Sequence, residues 1–394
     1  MSDTPKIRFK GFADDWEWRK LGKVFKEYSE KNHAELSPLT VIQGGGTILR
    51  EEFDRSLQYD KSSLSGYKMV RKNDIIVHLR SFEGGLERAN SDGIISPAYH
   101  TFHGADTDSR FYYPFFRSKY FINVLLKAHV YGIRDGKSID IDGMKTIMIP
   151  VPSYREQKKI GNYFDTLDHF ITLHQYKCDE IKELKKYMLQ KMFPQNGKKI
   201  PEIRFAGFTD AWEQRKLEKV AKYRNGKAHE NDIDERGKYV VVNSKFVSTD
   251  GKVRKYSNIQ SEPLYKDEIA FVLSDVPNGR AIARTFLVEE TGKYTLNQRI
   301  AGITPLDDTY PYFLYILMNR HPYFLAFNDG VKQINLLVGD VMEFEAYYPE
   351  GSEQRLIGEY FRNLDHLITL NQRKCDTLKE VKKFMLQNMF PQKG

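Results

Sequence analysis

Apolar positions along this chain follow two periods, and the period changes at matching depths in the two halves. From Glu156 onward they recur every three, four or seven residues, at Ile160, Phe164, Leu167, Ile171, Cys178, Ile181, Leu184 and Met188. That spacing draws a single stripe down one face of a helix, with no proline before Pro194. From Glu353 the stripe returns at Ile357, Phe361, Leu364, Ile368, Cys375, Leu378, Val381, Met385 and Met389, and it stops at Pro391. A helix of about 37 residues would span roughly 55 Å. So long a helix with so narrow an apolar face calls for a partner, and the obvious partner is its own twin.

Between the stripes the pattern shortens. The β-branched and aromatic runs at 74–82, 145–151, 239–247 and 268–274 are bounded by glycine, asparagine and aspartate, and predict strands. Residues 113–132 and 310–327 predict helices at corresponding depths. The implied class is α+β: two similar mixed α/β domains, separated by two long antiparallel coiled-coil helices and related by a pseudo-two-fold axis.

The stripes belong to a duplication. "PKIRFKGFADDWEWRKLGKV" from Pro5 and "PEIRFAGFTDAWEQRKLEKV" from Pro201 agree at 14 of 20 positions, at an offset of 196. The stretches of 42 residues from Glu156 and Glu353 agree at 28 positions, at an offset of 197. Phe25 to Arg155 and Ala221 to Ser352 share little. The plan is head, variable body and conserved tail, twice, with expected boundaries at 1–153, 154–197, 198–350 and 351–394. A duplicated chain that closes about a two-fold axis crossing both helices must pair them antiparallel, which also brings the first head near the second tail.

With 394 residues there is room for two or three cores, and a net charge of +8 makes a polyanionic partner plausible. No apolar run reaches the 18 or so residues of a membrane span, and the first residues lack a signal-peptide core, so a cytoplasmic protein without a membrane partner is expected. Two cysteines at equivalent tail positions form neither a disulfide framework nor a zinc pattern.

Several local patterns suggest chemistry and fall short of it. "GIRDGKS" (132–138) has three residues between its glycines where a phosphate loop needs four, which leaves a basic turn against a DNA backbone or a plain surface turn. His174 and Cys178 share a helical face, but the second copy carries Asn371 and Cys375, which favours a polar register position over a metal site. His169 and His366, without a nucleophile beside them, read as capping or packing residues. No catalytic constellation is present, so the expected role is to position chemistry done by others. Glycine-bearing loops offer Arg50, Arg80, Arg88, Arg134, Lys137 and Ser138 in the first body. In the second they offer Arg280, Arg284, Asn297, Gln298, Arg299, Lys332, Gln333 and Asn335. Arginine suits guanine edges, Asn and Gln suit adenine, and Lys and Ser suit phosphates, although such loops are also ordinary solvated turns.

The head "IRFKGFADDWEWRKLGKV", the junction "IPVPSYREQKKIGNYFDTLD" and the tail ending "LKKYMLQKMFP" resemble the specificity subunits of Type I restriction-modification systems, over the whole chain. The resemblance implies that each body is a target-recognition domain reading one half of a split site in double-stranded DNA, and that the tails fix the spacer between the halves. It implies a non-catalytic chain that binds no cofactor. Its partners would be two methyltransferase subunits using S-adenosylmethionine, joined by restriction subunits using ATP and Mg. The lysines at 182, 185 and 186, repeated at 379, 382 and 383, are either a docking face or a solvated one. A structural coiled-coil adaptor, or an inactive or orphan specificity subunit, is the alternative.

Overall fold

The computed structural model describes residues 4–53, 61–78, 83–132, 137–195, 197–229, 231–276, 279–328 and 332–391. Two helices of 38 residues dominate, Tyr154–Lys191 and Gly351–Asn388. The chain divides into two compact units, Met1–Tyr176 with Asn371–Gly394, and Lys177–Leu370, so each unit holds one body and part of both helices.

In the first unit a four-stranded antiparallel sheet runs in the order Lys26–Tyr28, Tyr99–His103, Ile75–His78, Glu87–Arg88. The second unit has the same order in Ala221–Asn225, Ile300–Pro305, Ile269–Val272 and Thr285–Leu287. Each sheet is followed by an eight-residue helix, Ser109–Phe116 or Pro311–Met318. A further two-stranded pairing ties each head to the strand just before its tail helix: Glu17–Lys20 against Met148–Val151, and Glu213–Lys216 against Glu345–Tyr348.

The repeated blocks meet within each unit. In the first, the Ile7 N–H donates to the Asn388 carbonyl at 3.0 Å, so the first head does meet the second tail. Phe390 sits among Trp16, Phe111, Phe115 and Phe164 with ring centroids 5.1 to 6.4 Å apart. In the second, the Ile203 N–H donates to the Lys191 carbonyl, and Phe193 sits among Trp212, Phe313 and Phe361 at 5.6 to 6.1 Å. The sequence repeats its "W" and its "MFP" because they are two parts of one aromatic core, whose buried rings are each worth about 1.5–3 kcal/mol.

Inside each unit the helix portions pair antiparallel. In the first, Lys382 bonds Asp168 at 2.5 Å, Cys375 Sγ approaches the Ile171 carbonyl, and His174 Nδ1 meets Asn371 Oδ1 at 2.9 Å. In the second, Lys185 bonds Asp365 at 2.6 Å and Cys178 Sγ approaches the Ile368 carbonyl. Of the stripe, Ile160, Phe164, Leu167, Cys178, Ile357, Phe361, Leu364 and Cys375 are buried, while Ile171, Ile181, Ile368 and Leu378 are half-buried. Leu184 and Val381, assigned to the stripe by spacing, are 44% and 37% exposed. The seam position in that turn is held instead by Lys185 and Lys382, which keep the three-four spacing and pair with Asp365 and Asp168 on the facing helix.

Three expectations need correcting. Residues 113–132 do not form one helix: Ser118 Oγ accepts the Phe121 N–H at 3.1 Å and starts a separate wider turn, Phe121–Leu126. Residues 310–327 break at Arg320 (φ 53°), after which His321 and Pro322 open the helix Pro322–Leu325. The run 239–247 is a strand only to Val242; Asn243 Oδ1 then caps the helix Ser244–Ser248 by accepting the Phe246 N–H. In each case a capping side chain outweighs an apolar run.

Candidate DNA-recognition surfaces

In the first body the hairpin Leu39–Ile42 and Gly46–Leu49 carries the tip Gln43-Gly44-Gly45. Glu87, buried beneath it, accepts the Gly44 N–H at 2.8 Å and the Gly46 N–H at 3.3 Å. The same carboxylate takes the Tyr113 hydroxyl at 2.9 Å and the Arg117 guanidinium. Burial and this carboxylate both push the Tyr113 phenol well above its ordinary value. The hairpin is therefore pinned to the helix Ser109–Phe116. Glycine is required for the fit, since a Cβ on Gly46 (φ 72°) would lie 2.5 Å from the Arg88 carbonyl and one on Gly85 (φ 79°) 2.3 Å from that of Phe116.

At the opposite end of this hairpin Arg50, whose backbone N–H donates to the Pro38 carbonyl, donates to the Tyr67 hydroxyl at 3.1 Å and lies over its ring. Arg88 lies over Tyr113 and pairs with Asp165 of the first long helix at 3.2 Å, so it ties body to tail within the unit. Lys137 is exposed, and Ser138 lies in a short ribbon, Val130–Tyr131 with Ser138–Ile139, rather than at a helix start. Arg80 and Arg134 lie outside the described residues.

The second body converges differently. Arg284 O accepts from Val272, Arg299 O accepts from Leu273, and Asn335 is the strand partner of Ser274. Arg284, Arg299 and Asn335 thus flank one segment, 272–275, and Gln333 Nε2 donates to Ser274 Oγ at 3.0 Å beside them. Asp275 closes the adjoining loop by accepting the N–H groups of Val276, Ala281 and Ile282 at 2.8, 2.6 and 3.1 Å. Arg280, Gln298, Arg299, Lys332, Gln333 and Asn335 are exposed, and Asn297 is half-buried with its N–H on the Val242 carbonyl.

Sequence reasoning passed over Glu87, Arg117 and Arg320. Glu87 and Arg117 face the glycine tip only through a contact some 40 to 70 residues away in sequence, and Arg320 depends on the unforeseen helix break. His169 and His366 are exposed in mid-helix, so neither is a cap, and His169 lies against Phe170. Among the described residues no three or more His, Cys, Asp and Glu side chains gather as a metal site, and no helix is long and apolar enough to cross a membrane.

Two copies of one mixed α/β fold, each built against the repeated helices, define a duplicated two-body protein. A family described as the Type I restriction modification DNA specificity domain matches residues 13–183 and again 209–380. The chain belongs to that family, whose members are non-catalytic DNA-recognition components of Type I restriction-modification systems. The S subunit of such a system from M. genitalium has the same fold, with a TM-score of 0.67 at 16% identity over 99% of this chain and 100% of that one. A structure described as showing complex assembly and conformational transition of the type I R-M system matches with a TM-score of 0.50 at 15% identity, over 95% and 97% of the chains. The HsdS subunit from Thermoanaerobacter tengcongensis gives 0.43 at 16%, over 95% and 96%. Among curated proteins nothing matches.

Proposed function

We propose that this chain directs a Type I restriction-modification complex to a bipartite site in double-stranded DNA. The bodies within 1–153 and 198–350 each read one half-site. The helical segments 154–197 and 351–394 set the spacer and dock methyltransferase subunits, with the complex working in the cytoplasm. S-adenosylmethionine, ATP and Mg would serve the partner methyltransferase and restriction subunits, which methylate adenine or cleave. The observation that carries this reading is the identical strand order of the two sheets beneath loops that share no arrangement: one scaffold, two surfaces.

Docking on the helices is supported by a second apolar line beside the buried one. Phe170, Val381 and Phe384 are exposed in the first unit, and Leu184, Tyr187, Leu367 and Leu370 in the second. Exposed apolar residues repeated on a helix mark a surface that expects another protein.

The test is sequencing of methylated adenines in cells lacking other methylases, with this chain expressed beside its cognate methyltransferase subunit and, as a control, without it. A split motif that depends on this chain is expected. A soluble complex leaving no methylation would sink the reading in favour of an inactive subunit or a structural adaptor.

A further inference from the structure

Three arginines of the second body stand together without a carboxylate partner. Arg284 Nε and Arg320 Nη1 both donate to one oxygen, the carbonyl of Arg280, at 2.8 and 2.9 Å. Two guanidinium groups on a single acceptor are held close to one another, and Arg280 carries a third on the same residue. None of the three forms an ion pair with a carboxylate among the described residues. Asp275, the nearby acid, has its carboxylate occupied by three backbone N–H groups.

The backbone beneath is fixed in a demanding shape. Arg320 and Ala283 both lie in the left-handed region, at φ 53° and 57°, and the Arg320 N–H donates to the Ala283 carbonyl at 2.7 Å. Two such residues joined by a hydrogen bond cost backbone strain, which persists where the surroundings over-determine it and gathers at ligand sites. Burial, and then the neighbouring Arg284 and Arg280, hold the Arg320 guanidinium below its ordinary value, although nearby Asp275 pulls it partly back up. Like charges gathered at such a cost form a site that an anion would relax.

We propose that Arg284 and Arg320 form a two-pronged clamp for a DNA backbone phosphate, with Arg280 at its rim, which positions the strand under the second recognition body without reading its sequence. The inference rests on the proposed DNA-recognition role and adds to it a residue, Arg320, and a division of labour. Planar guanidinium forks suit phosphate oxygens, and contacts to phosphate fix register while base contacts specify. On this view discrimination at the second half-site falls to Arg299, Gln333 and Asn335 around segment 272–275.

The experiment compares the whole chain, in complex with its methyltransferase subunit, with its R284Q, R320Q and R320K variants, titrated with cognate and scrambled duplexes between 50 and 200 mM salt. Each Gln variant should flatten the log-log salt slope by about 0.9, and so lose roughly 3-fold less affinity than the parent across that range. Cognate and scrambled duplexes should weaken alike at low salt, the methylated motif should stay the same, and R320K should retain most of the slope. A changed motif in either Gln variant would make that arginine a base reader and overturn the clamp, as would unchanged slopes in both. R284Q leaves the φ 53° turn untouched, so it reports even if R320Q unfolds. Absence of salt-dependent binding by the parent complex would instead strike at the recognition role itself.

Discussion

The two units hold their heads with the same bond and differ in what surrounds it. In the first, Arg8 is bidentate to Glu156 at 2.6 and 2.8 Å, and the Trp16 indole N–H adds a third bond at 3.1 Å. In the second, Arg204 is bidentate to Glu353 at 2.7 and 2.8 Å, while the buried Trp212 N–H finds no acceptor among the described residues. Each arginine is held above its ordinary value chiefly by its glutamate. The lesson is that the frame tolerates loss of a bond as long as the aromatic core and the ion pair stay. Loops need only keep their sheet positions, and so are free to diverge.

The largest test breaks the frame in both units. Glu156 and Glu353 are 1% and 0% exposed, so removing either strands a mostly buried guanidinium, and E353A should lose about 3–5 kcal/mol of stability in its unit. E156A should lose about 1 kcal/mol more, because it also orphans the Trp16 N–H. Denaturant unfolding of both variants measures the difference. Equal losses would mean that the Trp16 bond contributes nothing.

Acid should separate the units next. His321 Nδ1 accepts the Tyr323 N–H at 3.2 Å, and its ring packs on Phe344. Burial pushes this imidazole down to about 4 from its ordinary 6.5. The folded state thus disfavours the proton: stability is full above pH 6.5 and falls between 6.5 and 4 as the unfolded chain takes up the proton first, by up to about 3 kcal/mol. H321N keeps a capping side chain and removes the titration, so the gap between parent and variant should narrow across that window. A parallel pH dependence of the two proteins would refute the assignment.

Under the proposed reading, in which each body serves one half-site, loop supports should act on one half-site each. E87Q puts an amide where the carboxylate meets four donors and should lower methylation dependent on the first half-site by about tenfold, roughly 1.4 kcal/mol, within the range for an unsatisfied buried donor. D275N should do the same to the second. Methylation kinetics on duplexes altered in one half-site at a time would show it, and an effect on both halves from either variant would break the separation.

Much of this architecture was legible because it obeys period and repetition. The stripe from Ile160 to Cys178, the block around Trp16 and the "MFP" ends are local patterns, and their partners follow from the duplication. What stayed hidden was settled by single side chains acting across long separations. Asn243 and Ser118 cap helices inside apolar runs. Glu87 reaches from one strand to a hairpin tip 43 residues away, and its role depends on burial that no spacing reveals. Arg88 reads in the sequence as one more loop arginine and in the structure meets Asp165, 77 residues on. Arg320 acquires its neighbours only because the chain turns left-handed there.

The smallest expected effect sharpens the comparison where the units look most alike, on the paired helices. Lys382 with Asp168 in the first unit and Lys185 with Asp365 in the second are equivalent pairs, with lysines 28% and 21% exposed. Pairs this open contribute about 0.2–1 kcal/mol, so D168N should cost no more than that. Asp365 also accepts the Tyr312 hydroxyl at 2.8 Å, and burial followed by this carboxylate pushes the Tyr312 phenol far above its ordinary value. Tyr312 lies near the start of the helix Pro311–Met318, whose counterpart position in the first unit holds Arg110, bonded instead to Asp108 and Asn162. D365N weakens a bond to a largely buried hydroxyl as well as an open ion pair, and should cost about 1 kcal/mol more than D168N. Thermal unfolding of D365N, with and without Y312F, isolates the difference: the excess should vanish in the double variant, and its persistence would assign it to the helix pairing itself.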